Sequence, residues 1–276
     1  MNVTGKTKIT GLFGYPVEHT LSPLMHNAAF EHLGLDFCYL PFSVHPASLK
    51  TAVEAVRALN LAGVNVTIPH KESVIPYLDT VNEEALFIGA VNTIVNREGT
   101  LTGYNTDGRG FMRALSENDI FPDNRKVLVA GAGGASRAIS YYLSEKAASL
   151  WLYDTDKTKL EKLASDLSEI RDNIRILDSV DPGDFDVLIN ATPLGLKATD
   201  PLPLDVSRLS PGQTVCDLIY KKTPLLSGAE KKGCRTSDGL GMLLWQGVLA
   251  FELWTGTFPP VDIMRKALLS GMDKPA

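Results

Sequence analysis

Short apolar runs alternate with stretches of helical period along almost the whole chain. Lys8–Phe13, Phe37–Phe42, Gly63–Val66, Asn92–Asn96, Lys126–Val129, Ser149–Tyr153, Asn173–Leu177, Val187–Asn190 and Thr214–Asp217 read as strands. Between most of them lie stretches with apolar residues on one helical face, among them Pro23–Leu33, Ala47–Leu59, Ala135–Lys146 and Lys157–Glu169. Repeated βαβ order predicts an α/β protein with parallel sheets covered by helices on both faces. Thr93–Tyr104 departs from this order, because two extended runs flank Arg97-Glu-Gly-Thr100 and predict a local hairpin. There is no internal repeat and no low-complexity linker.

One strand ends in an unusual turn. Val127-Leu-Val-Ala-Gly-Ala-Gly-Gly-Ala-Ser136 runs from four apolar residues into glycines and then into an amphipathic helix. Gly131 would make the tight turn. Gly133 and Gly134, with Ala132 and Ala135 beside them, would let backbone N–H groups approach a pyrophosphate at the helix N-terminus. Ser136 stands where the third glycine of GxGxxG is usual, and Asp154 lies 23 residues past Gly131 at the end of the next strand. This context predicts a Rossmann-type, doubly wound dinucleotide-binding domain over residues 108–238. Residues 1–107 suffice for a smaller α/β domain. The apolar helices expected over 239–276 would return to complete it, placing a substrate cleft between the domains. A length of 276 residues suits two domains.

Composition narrows the class. Apolar content of 44%, charged content of 21% and a net charge of −5 describe a globular protein without the basic surface of a nucleic-acid binder. The opening Met-Asn-Val-Thr-Gly-Lys lacks a signal-peptide core, and Leu240–Trp254 is interrupted by Gln246 and Glu252 and too short to span a bilayer. Cys38, Cys216 and Cys234 have no paired spacing and read as reduced, buried thiols, as in a cytoplasmic protein. The five histidines fit no metal template. A small-molecule partner is expected, with no nucleic acid and no membrane, in a monomer or homodimer.

Two polar motifs supply candidate chemistry. Lys71 closes Asn65-Val-Thr-Ile-Pro-His-Lys71, where Pro69 places it in the first turn of an expected helix. Asp107 sits in Gly103-Tyr-Asn-Thr-Asp107-Gly-Arg-Gly110, before an expected helix Gly108–Asn118 that it could cap. An amine and a carboxylate can move a proton. Asn65, Thr67, Asn92, Thr93, Asn105 and Thr106 all lie where apolar strands end, which is where open α/β sheets place ligands. Gly14-Tyr-Pro-Val-Glu-His-Thr20-Leu-Ser22-Pro23 adds two hydroxyls before a helix, with Ser22 equally readable as its N-cap.

These stretches resemble the shikimate dehydrogenase family. The likeness covers Gly14–Asn27, Asn65–Lys71, Ala90–Thr93, Gly103–Gly110, Gly131–Ala138, Asn190–Gly195, Asp217–Tyr220 and Gly239–Gln246, in the family's order over nearly the full length. It implies reversible NADPH-linked reduction of 3-dehydroshikimate to shikimate in aromatic amino-acid biosynthesis. It implies a catalytic pair at Lys71 and Asp107, and carboxylate contacts from Thr20, Ser22 and Tyr220. Thr67, Asn92, Asp107 and Gln246 would bind ring hydroxyls, while Leu218 and Gly239 would lie near the nicotinamide.

Two positions depart from the family pattern. Thr20 replaces the usual serine and adds a methyl group. Asp154-Thr155-Asp156 stands where NADP-using members usually carry Asn-Arg-Thr/Ser. The carboxylate of Asp154 would accept from a free ribose 2′-OH and repel a 2′-phosphate. The family default is therefore NADP, while the residues favour NAD or dual use. A NAD-dependent quinate/shikimate dehydrogenase is the nearest rival reading. A non-catalytic nucleotide-binding regulator would leave Lys71 and Asp107 unexplained.

Overall fold

The computed structural model describes residues 3–197 and 199–272. Positions 1, 2 and 273–276 of the expected substrate domain, and Ala198 of the nucleotide domain, lie outside the described residues. The chain forms two compact units, one ending at Thr106 and resuming at Gln246, the other spanning Asp107–Trp245.

In the first unit β1 (Lys8–Gly14), β2 (Phe37–Ser43), β3 (Gly63–Val66), β4 (Thr80–Val81), β5 (Thr93–Arg97) and β6 (Thr100–Tyr104) form one sheet in the order β2-β1-β3-β5-β6-β4. Strands β1 to β3 are parallel, joined by α1 (Ser22–His32) and α2 (Leu49–Ala58). The parallel order then stops: β5 runs antiparallel to both β3 and β6. Glu98 (φ 54°) and Gly99 (φ 88°) make the tight left-handed turn of the expected hairpin. Asn96 Oδ1 braces it by accepting from the Gly99 amide at 2.9 Å. Strand β3 is buried along its whole length, and Val64 and Val66 join Val53, Val56, Ile94 and Leu101 in the core. A short helix α3 (Glu83–Ile88) follows β4.

The second unit opens with α4 (Asp107–Glu117). Its strands are β7 (Lys126–Ala130), β8 (Ser149–Tyr153), β9 (Ile174–Ile176), β10 (Val187–Asn190), β11 (Thr214–Asp217) and β12 (Arg235–Ser237). They are all parallel, in the order β12-β11-β10-β7-β8-β9, with α5 (Gly134–Lys146), α6 (Lys157–Ser168) and α7 (Pro224–Lys231) in the connections. Strand order reverses between β7 and β10, the point at which doubly wound sheets open a crevice at their carboxyl ends. Strand β9 is shorter than the expected Asn173–Leu177. The flanking main chain still bonds to β8, Asn173 O accepting from Leu150 N and Leu177 N donating to Leu152 O, each at 3.0 Å, while the Asn173 side-chain amide donates to Ser144 O and Ala147 O at 3.0 and 2.8 Å.

Helix α8 (Leu240–Thr255) is continuous, and the border between the units falls inside it rather than at residue 239. Its last turns belong to the first unit. Trp254 Nε1 donates to Ile94 O at 3.0 Å, and the Arg97 guanidinium donates to the carbonyls of Leu253 and Trp254 at 2.7 and 3.3 Å. A cation with donors suits the carboxyl end of a helix. Helix α9 (Val261–Met272) rests on α1, with no room for a methyl group at Gly271 beside Leu24. Among the described residues no helix is long and apolar enough to cross a membrane, and Cys38, Cys216 and Cys234 are buried free thiols.

His26 lies inside the first unit's aromatic cluster. Its ring is stacked on Tyr39 with centroids 4.4 Å apart and lies nearly parallel to Phe251, and neither ring nitrogen has a hydrogen-bond partner. Burial pushes its pKa from 6.5 down to about 3. The unfolded chain therefore binds a proton that the folded chain refuses. This contribution is fully present above pH 6.5 and is lost as pH falls toward 3, at about 1.4 kcal/mol per pH unit. His26→Phe, which keeps an aromatic ring in the stack, is expected to flatten the fall in stability between about pH 6.5 and 4. Urea midpoints collected across that range check it, and a slope equal to the wild type's would refute the assignment.

Candidate active site

The first unit gathers its polar residues where β1 and β3 end. Thr67 N donates to Phe13 O at 2.9 Å and Tyr15 N to Ile68 O at 3.1 Å, so the segments leaving the two strands stay together. A Cβ at Gly14 would stand 2.4 Å from the Thr67 methyl, so only glycine fits there. Val66 N donates to Asn92 O, and Val91 N to Lys71 O, each at 2.8 Å. Thr67, Lys71 and Asn92 are thus held around one strand end by main-chain bonds. Asn92 is buried, while Thr67 and Lys71 are half-buried.

Lys71 is not in a helix, contrary to the sequence expectation. Residues 70–74 form successive turns that pass into a 3₁₀ turn at Ile75–Tyr77. Pro76 lacks an N–H donor and disfavours helical backbone at the residue before it, so the turns do not extend into an α-helix. His70 fixes the turn from inside, with its Nε2 2.7 Å from Val44 O.

The two hydroxyls before α1 also differ from expectation. Leu21 occupies the N-cap position without a side-chain bond, and Ser22 is the first residue of the helix, so Ser22 is not the cap. Ser22 N donates to Thr20 Oγ1 at 3.3 Å, and the Ser22 side chain is hydrogen-bonded to the Tyr39 phenol. Gln246 stands half-buried on α8, next to Gly247, whose position leaves no space for a Cβ against Met25 of α1.

Sequence patterning missed how these groups are wired. Asn65 Nδ2 donates to Asn92 O (3.1 Å) and Thr93 Oγ1 (3.0 Å), and Asn65 Oδ1 accepts from the Tyr39 hydroxyl at 2.9 Å. Asn92 Nδ2 donates to Thr106 Oγ1 and Asn92 Oδ1 accepts from Thr106 N, at 2.9 and 2.8 Å. Asp107, buried, follows Thr106 directly as the first residue of α4 and so begins the helix it was expected to cap from outside.

The second unit presents the glycine-rich turn at the carboxyl end of β7. Gly131 has φ 116°, and a Cβ there would meet Ala191 O at 2.8 Å. Gly133 is the N-cap of α5, has no side chain to satisfy the helix's first N–H groups, and has open space where a Cβ would be. An exposed, uncapped helix N-terminus approached through glycine fits a dinucleotide pyrophosphate. Ser136, in place of the third glycine, is buried and donates its hydroxyl to Gly131 O at 2.5 Å, bracing the turn internally. Ala132 and Ala135 flank the same turn.

Asp154 faces this turn. Its Oδ2 accepts from Ala132 N at 2.6 Å and its Oδ1 from Asp156 N at 2.8 Å. It does not cap α6; Asp156 does, accepting from Lys159 N at 3.2 Å. Each Asp154 oxygen retains a further lone pair for a ribose hydroxyl. Lys157 is paired with Asp178 at 2.8 Å and Lys159 with Asp156 at 3.2 Å, so both nearby cations already face carboxylates.

Leu218 and Gly239 meet closely. A Cβ on Gly239 would overlap Leu218 O, and Gly239 N donates to Ile219 O at 3.1 Å. The Leu218 loop is fixed from below by Asp217, which accepts from Asn190 Nδ2, Ile219 N and Thr223 Oγ1 at 3.0, 3.1 and 2.8 Å. Burial is the largest influence on Asp217 and pushes its pKa up against those bonds. Tyr220, two residues beyond Leu218, is 40% exposed.

Comparison with known proteins identifies the family. A profile described as the shikimate dehydrogenase substrate binding domain matches residues 12–94, and one described as the shikimate 5′-dehydrogenase C-terminal domain matches residues 239–269. A shikimate dehydrogenase (NADP(+)) of Desulforamulus reducens is 47% identical over 96% of each chain. The chain belongs to the shikimate dehydrogenase family. Family structures superpose over nearly the whole length. A shikimate dehydrogenase crystallised with NADP+ gives a TM-score of 0.94 at 38% identity, covering 99% of this chain and 98% of that one. The enzyme from Listeria monocytogenes, in complex with shikimate and NAD, gives 0.89 at 38% identity, covering 96% and 98%.

Proposed function

We propose that this chain is a cytoplasmic shikimate dehydrogenase, which reversibly reduces 3-dehydroshikimate to shikimate with NAD(P)H in the route to chorismate and aromatic amino acids. The observation that carries this reading is the tethering of Thr67, Lys71 and Asn92 around one strand end, with Asp107 following Thr106 of the same network. The unit ending at Thr106, with the residues from Gln246 on, binds substrate; the other binds the dinucleotide. When bound, the nicotinamide supplies hydride to the ketone carbon. Lys71 donates the proton that the developing alkoxide needs and stabilises its charge. Asp107 accepts from a substrate hydroxyl and orients both it and Lys71. Thr20, Ser22 and Tyr220 hold the ring carboxylate, and Thr67, Asn92 and Gln246 hold ring oxygens. Gly131, Ala132, Gly133, Gly134 and Ala135 cradle the pyrophosphate, and Leu218 and Gly239 line the nicotinamide end.

The cofactor is NAD, or NAD and NADP together. Asp154 places a carboxylate beside Ala132 where the ribose is expected, and no arginine lies within the next four residues to clamp a 2′-phosphate in two places. Substrate choice follows from Thr20, whose methyl takes the space that the extra hydroxyl of quinate needs. Oxidation of shikimate and of quinate, each assayed with NAD and with NADP, tests the whole reading. Turnover of shikimate is expected, with quinate far slower, and with kcat/KM for NAD at least comparable to that for NADP. No turnover of shikimate would overturn the function, comparable kcat/KM for quinate would overturn the Thr20 argument, and a preference for NADP above about tenfold would overturn the Asp154 argument.

A further inference from the structure

Asp178 stands level with Asp154 on the neighbouring strand. Strands β8 and β9 run parallel with Leu152 opposite Ile176, and each aspartate lies two residues further on, past the carboxyl end of its strand. Adjacent strands are about 4.8 Å apart, so both carboxylates border the stretch of rim where Asp154 marks the ribose. Lys157 opens α6, and its Nζ donates to Asp178 Oδ1 at 2.8 Å. A cation in the first turn of a helix meets the positive end of the dipole, so α6 gains nothing from a lysine there. The Asp178 side chain is 97% exposed, and among the described residues its carboxylate bonds to Lys157 alone. The neighbouring pair is different. Asp156, which holds the Lys159 ammonium at 3.2 Å, also caps α6 by accepting from Lys159 N. Asp156 therefore has a structural duty, whereas the Asp178 carboxylate serves only the lysine. Around the expected ribose, the carboxylates of Asp154, Asp156 and Asp178 outnumber the ammonium groups of Lys157 and Lys159.

We propose that Asp178 is a specificity-determining residue for the dinucleotide: by holding Lys157 it withholds that cation from a ribose 2′-phosphate. A phosphate monoester is nearly a dianion at neutral pH and needs a positive partner. To supply one, Lys157 must leave Asp178, and the carboxylate left bare then repels the same phosphate. A free 2′-hydroxyl needs no cation, because it can donate to Asp154, so NAD is indifferent to the pair. Both members of the pair are exposed, and such pairs are weak; with the repulsion included, the discrimination that Asp178 adds is about 3- to 10-fold. It acts beside Asp154 and not in its place. Once released, Lys157 meets the phosphate as a flexible point charge, without the planar two-point grip of an arginine.

This inference rests on the reading of Asp154 as the ribose contact, and its test separates the two. Adenosine 2′,5′-bisphosphate and adenosine 5′-monophosphate differ only in the phosphate at issue, and calorimetry gives a Kd for each without turnover. Asp178→Ala is expected to tighten the bisphosphate about 3- to 10-fold and to move the monophosphate by less than about twofold, with kcat/KM for NADP rising in parallel. Lys157→Met is expected to cost the bisphosphate less than about threefold while Asp178 is present, and to erase the whole gain in the Asp178→Ala background. Two results would overturn the proposal. One is no gain for the bisphosphate in Asp178→Ala. The other is an equal cost of Lys157→Met in both backgrounds, since Asp178 would then act only as a remote negative charge. The Asp154 reading is judged by the wild type alone: a preference for NADP above about tenfold overturns it, whatever Asp178→Ala does.

Discussion

Lys71→Ala is expected to lower kcat by on the order of 10²–10⁴-fold, the range typical of a positioned proton donor, with a much smaller change in KM for shikimate. The substitution should leave the site's frame standing, because what Lys71 contributes to that frame is its carbonyl, which accepts from Val91 N at 2.8 Å. Alanine keeps that carbonyl. The loss should therefore fall on the reacting oxygen, where the proposed mechanism has the ammonium stabilise the developing charge and supply the proton. Half-buried lysines without a chemical role cost little when truncated, so the size of the kcat effect discriminates. Steady-state kinetics of shikimate oxidation measure it, and retention of more than half of wild-type kcat would end the proton-transfer assignment.

Asp107→Ala is expected to reduce kcat/KM for shikimate by on the order of 10³-fold, about 4 kcal/mol, divided between a raised KM and a lowered kcat. The division follows from position. The side chain is buried at the first residue of α4, directly after Thr106, whose amide is held by Asn92 Oδ1. On the proposed mechanism it both accepts from the substrate there and orients Lys71. A purely structural role makes a different forecast. An acidic residue in the first turn of a helix contributes about 0.3–1 kcal/mol to stability and nothing to substrate affinity. Asp107→Asn, which keeps the volume, separates the two: a thermal midpoint a few degrees lower with unaltered kinetics would support the structural role alone.

Much of the fold was legible because α/β alternation is written in local period. Each central strand of the second sheet is a short apolar run, and the glycine turn follows the first of them as expected. The polar motifs likewise marked the ends of β1, β3 and β7, since loops at strand ends carry a different composition from the strands. Other features depended on partners far along the chain. Tyr39 reads as one more aromatic in a buried strand until Asn65 is brought to its hydroxyl. Asp154 finds its amide partner on another strand's turn, at Ala132, which no local pattern announces. The Lys71 segment looked helical because Pro69 commonly starts helices, yet Pro76, with no N–H to donate, stops the turns from extending into one. The border between the units was invisible because α8 runs through it without any change in pattern.

The route of α8 bears on the order in which the chain can fold as it is synthesised. The second unit is contiguous, Asp107–Trp245, and has all its strands once β12 has emerged. The other unit begins first and finishes last. Phe251 and Trp254, which cover His26 and Tyr39, and α9, which lies on α1, are made only after the second unit. A nascent chain stopped near Thr106 has the sheet of that unit but lacks the aromatic lid of its core. The N-terminal half must therefore wait, incompletely covered, while the middle of the protein folds beside it, and closing it requires contacts across some 150 residues of sequence, the kind of long-range closure that slows folding.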